Sequence, residues 1–155
     1  MSDSMVISTV DDITLVTLAG FPAKVETLAK VFDTISQYDI NIDVISMAPT
    51  QSAYTGLSFT IADSDLIKIL SFTSALKKEK DLDVIVSSVN HKISVRDPAM
   101  KNTPGIAAQV FNAIAQTDAD IRLITTSDIE ISLLVTEADY DTVLKAIENA
   151  VNAAE

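Results

Sequence analysis

Ala29-Lys30-Val31-Phe32, then Ile35, then Ile40-Asn41-Ile42-Asp43-Val44-Ile45 is a run that this chain states twice. It returns as Ala108-Gln109-Val110-Phe111, then Ile114, then Ala119-Asp120-Ile121-Arg122-Leu123-Ile124, 79 residues on when counted from Ala29 to Ala108. The offset is about half of a 155-residue chain. A repeat of that period means two copies of one supersecondary unit. Each copy joins an apolar pattern of helical spacing to one that alternates, so the repeated unit is a small α/β module.

Outward from the first copy, Ile13 to Leu18 reads as a strand that ends at Gly20-Phe21-Pro22. Val25, Leu28, Ala29, Phe32 and Ile35 predict an amphipathic helix to about Tyr38. Ile40, Ile42 and Val44 alternate with Asn41 and Asp43 as a half-buried strand. Pro49 to Gly56 is a polar loop, and Leu57, Phe59 and Ile61 form the next strand. Asp63 or Ser64 is placed to cap a helix whose inner face carries Leu66, Ile69, Leu70 and Thr73. Leu82 to Val86 closes the unit, giving the order βαββαβ. The second copy has a strand at Lys92 to Val95, a loop from Arg96 to Pro104 and a helix bearing Ile106, Val110, Phe111 and Ile114. Strands at Ile121 to Thr125 and Ile129 to Val135 follow. A last helix starts at Thr136 or Glu137, with Tyr140, Val143, Leu144, Ile147 and Val151 inward.

The expected class is therefore α+β, ferredoxin-like, with antiparallel sheets and helices on one face. The second copy has three strands where its twin has four, and the strand-like Met5 to Val10 is surplus to the first. Crossing over of that segment would spare the second sheet an unpaired edge. Extension of the first sheet, or exchange with another chain, are the other ways to use it. With crossover, the first module spans 11–88 and the second spans 89–155 plus strand 5–10, joined by Ser87 to His91 as a short connection.

Composition narrows the function. With 48% hydrophobic and 21% charged residues this is a folded chain. Aromatics are 5% and tryptophan is absent, so Ile, Val, Leu and Ala must build the core. The net charge is -11, with no basic stripe to track a phosphate backbone or an anionic bilayer. Neither a nucleic-acid nor a membrane partner is expected. The absence of cysteine removes disulfides and thiolate chemistry and fits a cytoplasmic protein. Met1-Ser2-Asp3-Ser4 lacks the basic start of a signal peptide.

No catalytic, metal or cofactor set can be assembled. Asp11-Asp12, Asp63/Asp65 and Asp139/Asp141 sit beside strand or helix starts, where acids cap and solvate. His91, the single histidine, has no Cys or Ser-Asp company. Three glycines cannot build a glycine-rich phosphate cradle. Two segments stand out. Gly105, in Thr103-Pro104-Gly105-Ile106, sits at the mouth of the third helix, where free N–H groups suit a carboxylate; an ordinary turn reads the same way. Thr125-Thr126-Ser127-Asp128 offers three hydroxyls and a carboxylate to an amino group; a hairpin turn with a solvated Asp is the plain alternative.

The whole chain resembles the tandem ACT-domain regulatory region of aspartokinases. The family pattern G-V-P-D-K-P-G-x-A-A-x-V-F reads here as Gly20-Phe21-Pro22-Ala23-Lys24-Val25-Glu26-Thr27-Leu28-Ala29-Lys30-Val31-Phe32, and I-N-I-D-M-I as Ile40 to Ile45. D-I-S-F-T-V reads as Gly56 to Ile61. In the second copy, G-M-x-S-x-P-G-V-A-A reads as Ala99-Met100-Lys101-Asn102-Thr103-Pro104-Gly105-Ile106-Ala107-Ala108, and I-S-T-S-E-I-K-I-S as Ile124 to Ser132. The resemblance implies interlocked modules, homodimerisation through them, and a lysine- or threonine-class amino acid bound by Met100, Asn102, Thr103, Pro104, Gly105, Ile106, Ala107, Ile124, Thr125, Thr126, Ser127 and Asp128. It further implies an amino-acid kinase catalytic subunit as partner, a length like that of a free-standing small subunit, and no catalysis by this chain alone.

Departures from the pattern weaken the first copy. The family's effector-contacting Asp is Ala23, its glycine is Glu26, and its amides after the second strand are Met47 and Ala48. Glu26 would set a negative charge where a carboxylate docks. In the second copy the glycines before Met100 have become Asp97 and Ala99, and the last helix carries Glu148 in place of histidine. Amino-acid sensing by the second module is the expected function; a purely structural or oligomerisation module derived from such a region is the alternative.

Overall fold

The computed structural model describes residues 5–48, 53–79 and 82–153. The chain divides into two compact units, Asp12–Ser88 and Met1–Asp11 with Val89–Glu155. Two strands are longer than the sequence predicts. β1 runs unbroken over Val6–Pro22 and β4 over Asp83–Arg96, so Ser87 to His91 is strand and not a connection. The backbone accommodates this with left-handed residues inside each strand: Asp12 and Val89 both have φ 56°. Such a residue locally twists a strand, as at a β-bulge.

In the first unit, α1 (Val25–Gln37), β2 (Ile45–Met47), β3 (Tyr54–Ala62) and α2 (Leu66–Glu79) lie between β1 and β4 in the chain. The strand order β2-β3-β1-β4 is that of a ferredoxin-like sheet. β1 pairs antiparallel with β3, with Val16 opposite Phe59 and Leu18 opposite Leu57. These side chains form one core with Val31 and Ile35 of α1 and with Ile69, Phe72 and Leu76 of α2. Gly20, at φ 74°, lies where the β1–β3 register shifts between Leu18 and Phe21. A left-handed turn there suits the one residue without a Cβ.

Several local expectations for this unit change. Val25 is 77% exposed and Leu70 44%, so neither belongs to an inner face. The buried stripe of α2 is Ile69, Phe72, Thr73 and Leu76, a cleaner helical spacing. The strand expected over Ile40 to Ile45 is reduced to Ile45–Met47. Just before it, Asp43 N donates to the Thr60 carbonyl and Thr60 N to the Val44 carbonyl, so two residues face one as at a β-bulge, and the Thr60 hydroxyl takes the spare N–H of Val44 at 3.0 Å. Asp63 accepts from Thr14 Oγ1 at 2.5 Å, and a 3-10 turn over Asp63–Asp65 leads into α2. The polar loop expected over Pro49 to Gly56 falls partly outside the described residues.

In the second unit the C-terminal half of β4 leads through α3 (Ile106–Ala115), β5 (Ile121–Thr126) and β6 (Glu130–Thr136) to α4 (Glu137–Asn152). The order β5-β6-β4-β1 repeats the first unit's, with the strand before Asp12 in the fourth place. Ile93 and Val95 of β4, Ile131, Leu133 and Val135 of β6, Val110 and Ile114 of α3, and Val143 and Ile147 of α4 make its core. Met5 and Ile7 pack against that core. His91 Nδ1 donates to Asp11 Oδ1 at 3.1 Å, and the ring lies against that of Tyr140, centroids 4.7 Å apart.

Candidate functional site

The segment between β4 and α3 is organised by Asp97, which the sequence marks only as a departure from the family pattern. Asp97 is wholly buried. Its Oδ1 accepts the Ala99 N–H at 2.9 Å, capping a 3-10 turn over Pro98–Lys101. Its own N–H donates to the Ile129 carbonyl at 2.9 Å, which ties this turn to the β5–β6 hairpin. The N–H groups of Asn102 and Thr103 both donate to the Ala99 carbonyl. Two departures from the aspartokinase pattern, Asp97 and Ala99, thus form the turn that carries Met100 and Lys101.

Gly105 then opens α3 at φ 95°, a left-handed conformation that any other residue would hold only under strain. A Cβ built there would meet nothing within 4 Å, so the space before the helix is open. The first-turn N–H groups of any α-helix lack intrahelical acceptors and face outward at the positive end of the helix dipole. The N-cap residue, Gly105, has no side chain with which to cap α3. The site can therefore receive a carboxylate or another acceptor.

Facing it is the hairpin turn. Ser127 N donates to the Glu130 carbonyl at 2.8 Å, and Ser127 Oγ accepts from Ile129 N at 3.3 Å. This fixes the turn so that Asp128 projects from it. The Asp128 carboxylate is already partnered: its Oδ2 lies 3.5 Å from the Lys101 ammonium. Both side chains are more than half exposed, at 65% and 61%.

A cleft of about 370 Å³ lies between these two segments. Nine of the twelve predicted residues line it: Met100, Thr103, Pro104, Gly105, Ile106, Ala107, Thr126, Ser127 and Asp128. Asn102, Ile124 and Thr125 are not among its walls. Asn102 ends the 3-10 turn, Thr125 faces Ser132 across the ladder, and Ile124 is 47% exposed. Lys101 and Ile131 line it and were not predicted. Lys101 had a signal, as one of only eleven basic residues and flanked by two predicted ones. The volume lies within the range of small-molecule sites. Met100, Ile106 and Ile131 give apolar surface, and Thr103, Thr126 and Ser127 give hydroxyls.

The first unit has a cleft of about 530 Å³ elsewhere, between α1 and α2, flanked by Lys30, Thr34, Tyr38 and Phe72. None of Ala23, Glu26, Met47 or Ala48 lines it. Ala23 N donates to Ala53 O, Glu26 is exposed, and Ala48 bonds Gly56 and Thr55 through its backbone. Among the described residues no three His, Asp or Glu side chains gather as a metal site, and no helix is long and apolar enough to cross a membrane. The acids near element ends are mostly engaged locally. Asp65 pairs with Lys68 at 3.2 Å, and Asp139 accepts from Asp120 N and Thr136 Oγ1. His91 is buried, and its Nε2 has no hydrogen-bond partner among the described residues.

Comparison with known proteins places this geometry. An ACT domain family profile matches residues 93–151, which include every wall of the cleft. Aspartokinase 2 of Bacillus subtilis is 32% identical over 149 residues, covering 94% of this chain and 35% of that protein. The chain thus spans about a third of the length of the curated relatives it matches. The ligand-free regulatory subunit of aspartate kinase from Thermus thermophilus superposes with a TM-score of 0.83 at 24% identity, covering 93% of this chain and 95% of that one. Aspartate kinase from Synechocystis gives 0.85 at 25% identity, over 94% of this chain and 26% of that one. Residues 93–151 thus match an ACT domain, and the chain as a whole has the ferredoxin-like fold seen in aspartate kinase regulatory subunits.

Proposed function

We propose that this chain is a regulatory ACT module that binds a free amino acid in the cleft of its second unit. The observation that carries the reading is the convergence of nine predicted residues on one cleft at the open N-terminus of α3. The ligand's carboxylate docks on the first-turn N–H groups of α3, where the helix dipole favours negative charge. Its side chain lies on Met100, Ile106 and Ile131. Asn102, Ile124 and Thr125 act only as second-rank supports of the walls.

The partners proposed are a second copy of this chain and an aspartate kinase catalytic region, whose activity ligand binding in the cleft would modulate. The site that the family pattern would place in the first unit is silent, because Ala23 and Met47 supply neither acid nor amide and Glu26 repels a carboxylate.

Isothermal titration calorimetry with threonine and lysine tests the reading. Binding should appear, and Gly105→Glu should weaken it at least about tenfold, because a carboxylate in the cleft mouth opposes the ligand's own. Glu26→Ala should leave it unchanged. A heat-free titration with both amino acids at millimolar concentration would sink amino-acid sensing. Melting curves check that the Gly105 variant is folded, since a non-glycine residue at φ 95° costs about 1–2 kcal/mol.

A further inference from the structure

Lys101 is the feature of the cleft that neither the family pattern nor the sequence reading accounts for. It occupies a variable position of the motif, between Met100 and Asn102. It is carried on a turn that Asp97 clamps to the hairpin. Its ammonium lies 3.5 Å from Asp128, across the cleft that both residues line. Among the described residues Lys101 and Asp128 are the only charged ones in those walls, and their charges cancel.

We infer that Lys101 selects the ligand class: by occupying Asp128 it denies a carboxylate to any second ammonium, and the cleft takes an amino acid with a small, uncharged side chain. The inference rests on the amino-acid reading above and adds the discrimination to it. A lysine-type ligand would have to displace Lys101 from Asp128 and then hold its own ammonium beside that of Lys101. Each effect is modest because both side chains are largely exposed, and an exposed ion pair is worth up to about fivefold in affinity. A threonine-type side chain needs no charge partner. Thr103, Thr126 and Ser127 offer hydroxyls to its hydroxyl, and Ile106 and Ile131 a surface to its methyl group.

The test is calorimetry of the full chain with threonine and with lysine, repeated on Lys101→Met. Wild type should bind threonine about tenfold tighter than lysine. Freeing Asp128 in Lys101→Met should reduce that ratio to about twofold, chiefly by tightening lysine. Equal affinities in wild type, or an unchanged ratio in the variant, would overturn the selection by Lys101 and leave amino-acid sensing standing. If neither ligand binds, or if Gly105→Glu binds both as wild type does, the amino-acid reading of this cleft fails and the selection fails with it. The exposed position of Lys101 makes loss of folding in the variant unexpected, and a melting curve verifies it.

Discussion

Single residues hold this chain in conformations that their type disfavours. Val89 is the strongest case: a β-branched residue at φ 56°, inside a strand and 43% exposed. L-residues pay about 1–2 kcal/mol in the left-handed region, and asparagine pays least after glycine. Val89→Asn should therefore raise stability by about 1 kcal/mol in urea unfolding, with the m-value unchanged. A loss of stability would mean that the Val89 side chain has packing that outweighs its backbone strain. Asp39, also at φ 56°, is tolerated for a different reason. It follows the last turn of α1 and its N–H closes on the Ser36 carbonyl, a position where helices commonly end in the left-handed region. At this scale the sequence was legible where chemistry is local. Gly105 announced itself as a helix mouth because a glycine beside a proline before an apolar period has few other uses. Asp97 did not, because nothing in Arg96-Asp97-Pro98 says that the carboxylate is buried and turned back onto Ala99. Lys101 was missed because an ion pair across a cleft joins residues that no periodicity connects.

Among elements, α3 and α4 follow their apolar spacing closely, α1 and α2 follow it in part, and the strand limits depart from it most. Ile106, Val110 and Ile114 of α3 and Val143 and Ile147 of α4 are buried as their period requires. Strand limits depend on partners. Strand β2 is short because Asp43 and Val44 share Thr60 as one backbone partner, an irregular pairing set by the neighbouring strand. Strands β1 and β4 grew because polar stretches such as Ser87-Ser88 are as extended as the apolar ones beside them. The N-terminal half of β1 invites a direct measurement. It supplies Met5 and Ile7 to the core of the second unit and places Asp11 on His91. Burying two half-covered apolar side chains is worth about 2–3 kcal/mol. Deleting residues 1–10 should lower the melting temperature by several degrees and raise amide exchange in β4 and β6 before it does so in β3. An unchanged melting curve would show that the strand contributes nothing to that unit.

For the molecule as a whole, the repeat made the architecture legible. Two copies of βα followed by an alternating strand are hard to satisfy with any fold but a doubled one. The strand arrangement follows once each copy must close its own sheet. What the repeat hid was the inequality of its halves, which lies in side chains such as Glu26 and Asp97 and not in the period. Among the described residues β2 and β5 are the end strands of the order, and Ile45, Met47 and Ile124 on them are about half exposed. Such edges are ready to pair with another chain. In sedimentation equilibrium the protein should therefore behave as a dimer of the 16.6 kDa chain, and Ile124→Lys with Met47→Lys should shift it toward monomer. A wild-type monomer at high micromolar concentration would exclude edge-to-edge pairing.

The position of the N-terminal strand also has a meaning in time. Asp11 meets His91 at a separation of 80 residues. A ribosome makes the fourth strand of the second unit first and its neighbour in β4 only after every other element of the first unit has emerged. The stretch from Val6 to Asp11 must wait, extended and half apolar, while a complete ferredoxin-like unit folds behind it. Contacts that close so long a loop are slow to form. Synthesis order thus makes the first unit the early folder and the second the late one, so the cleft forms only once α4 has been made.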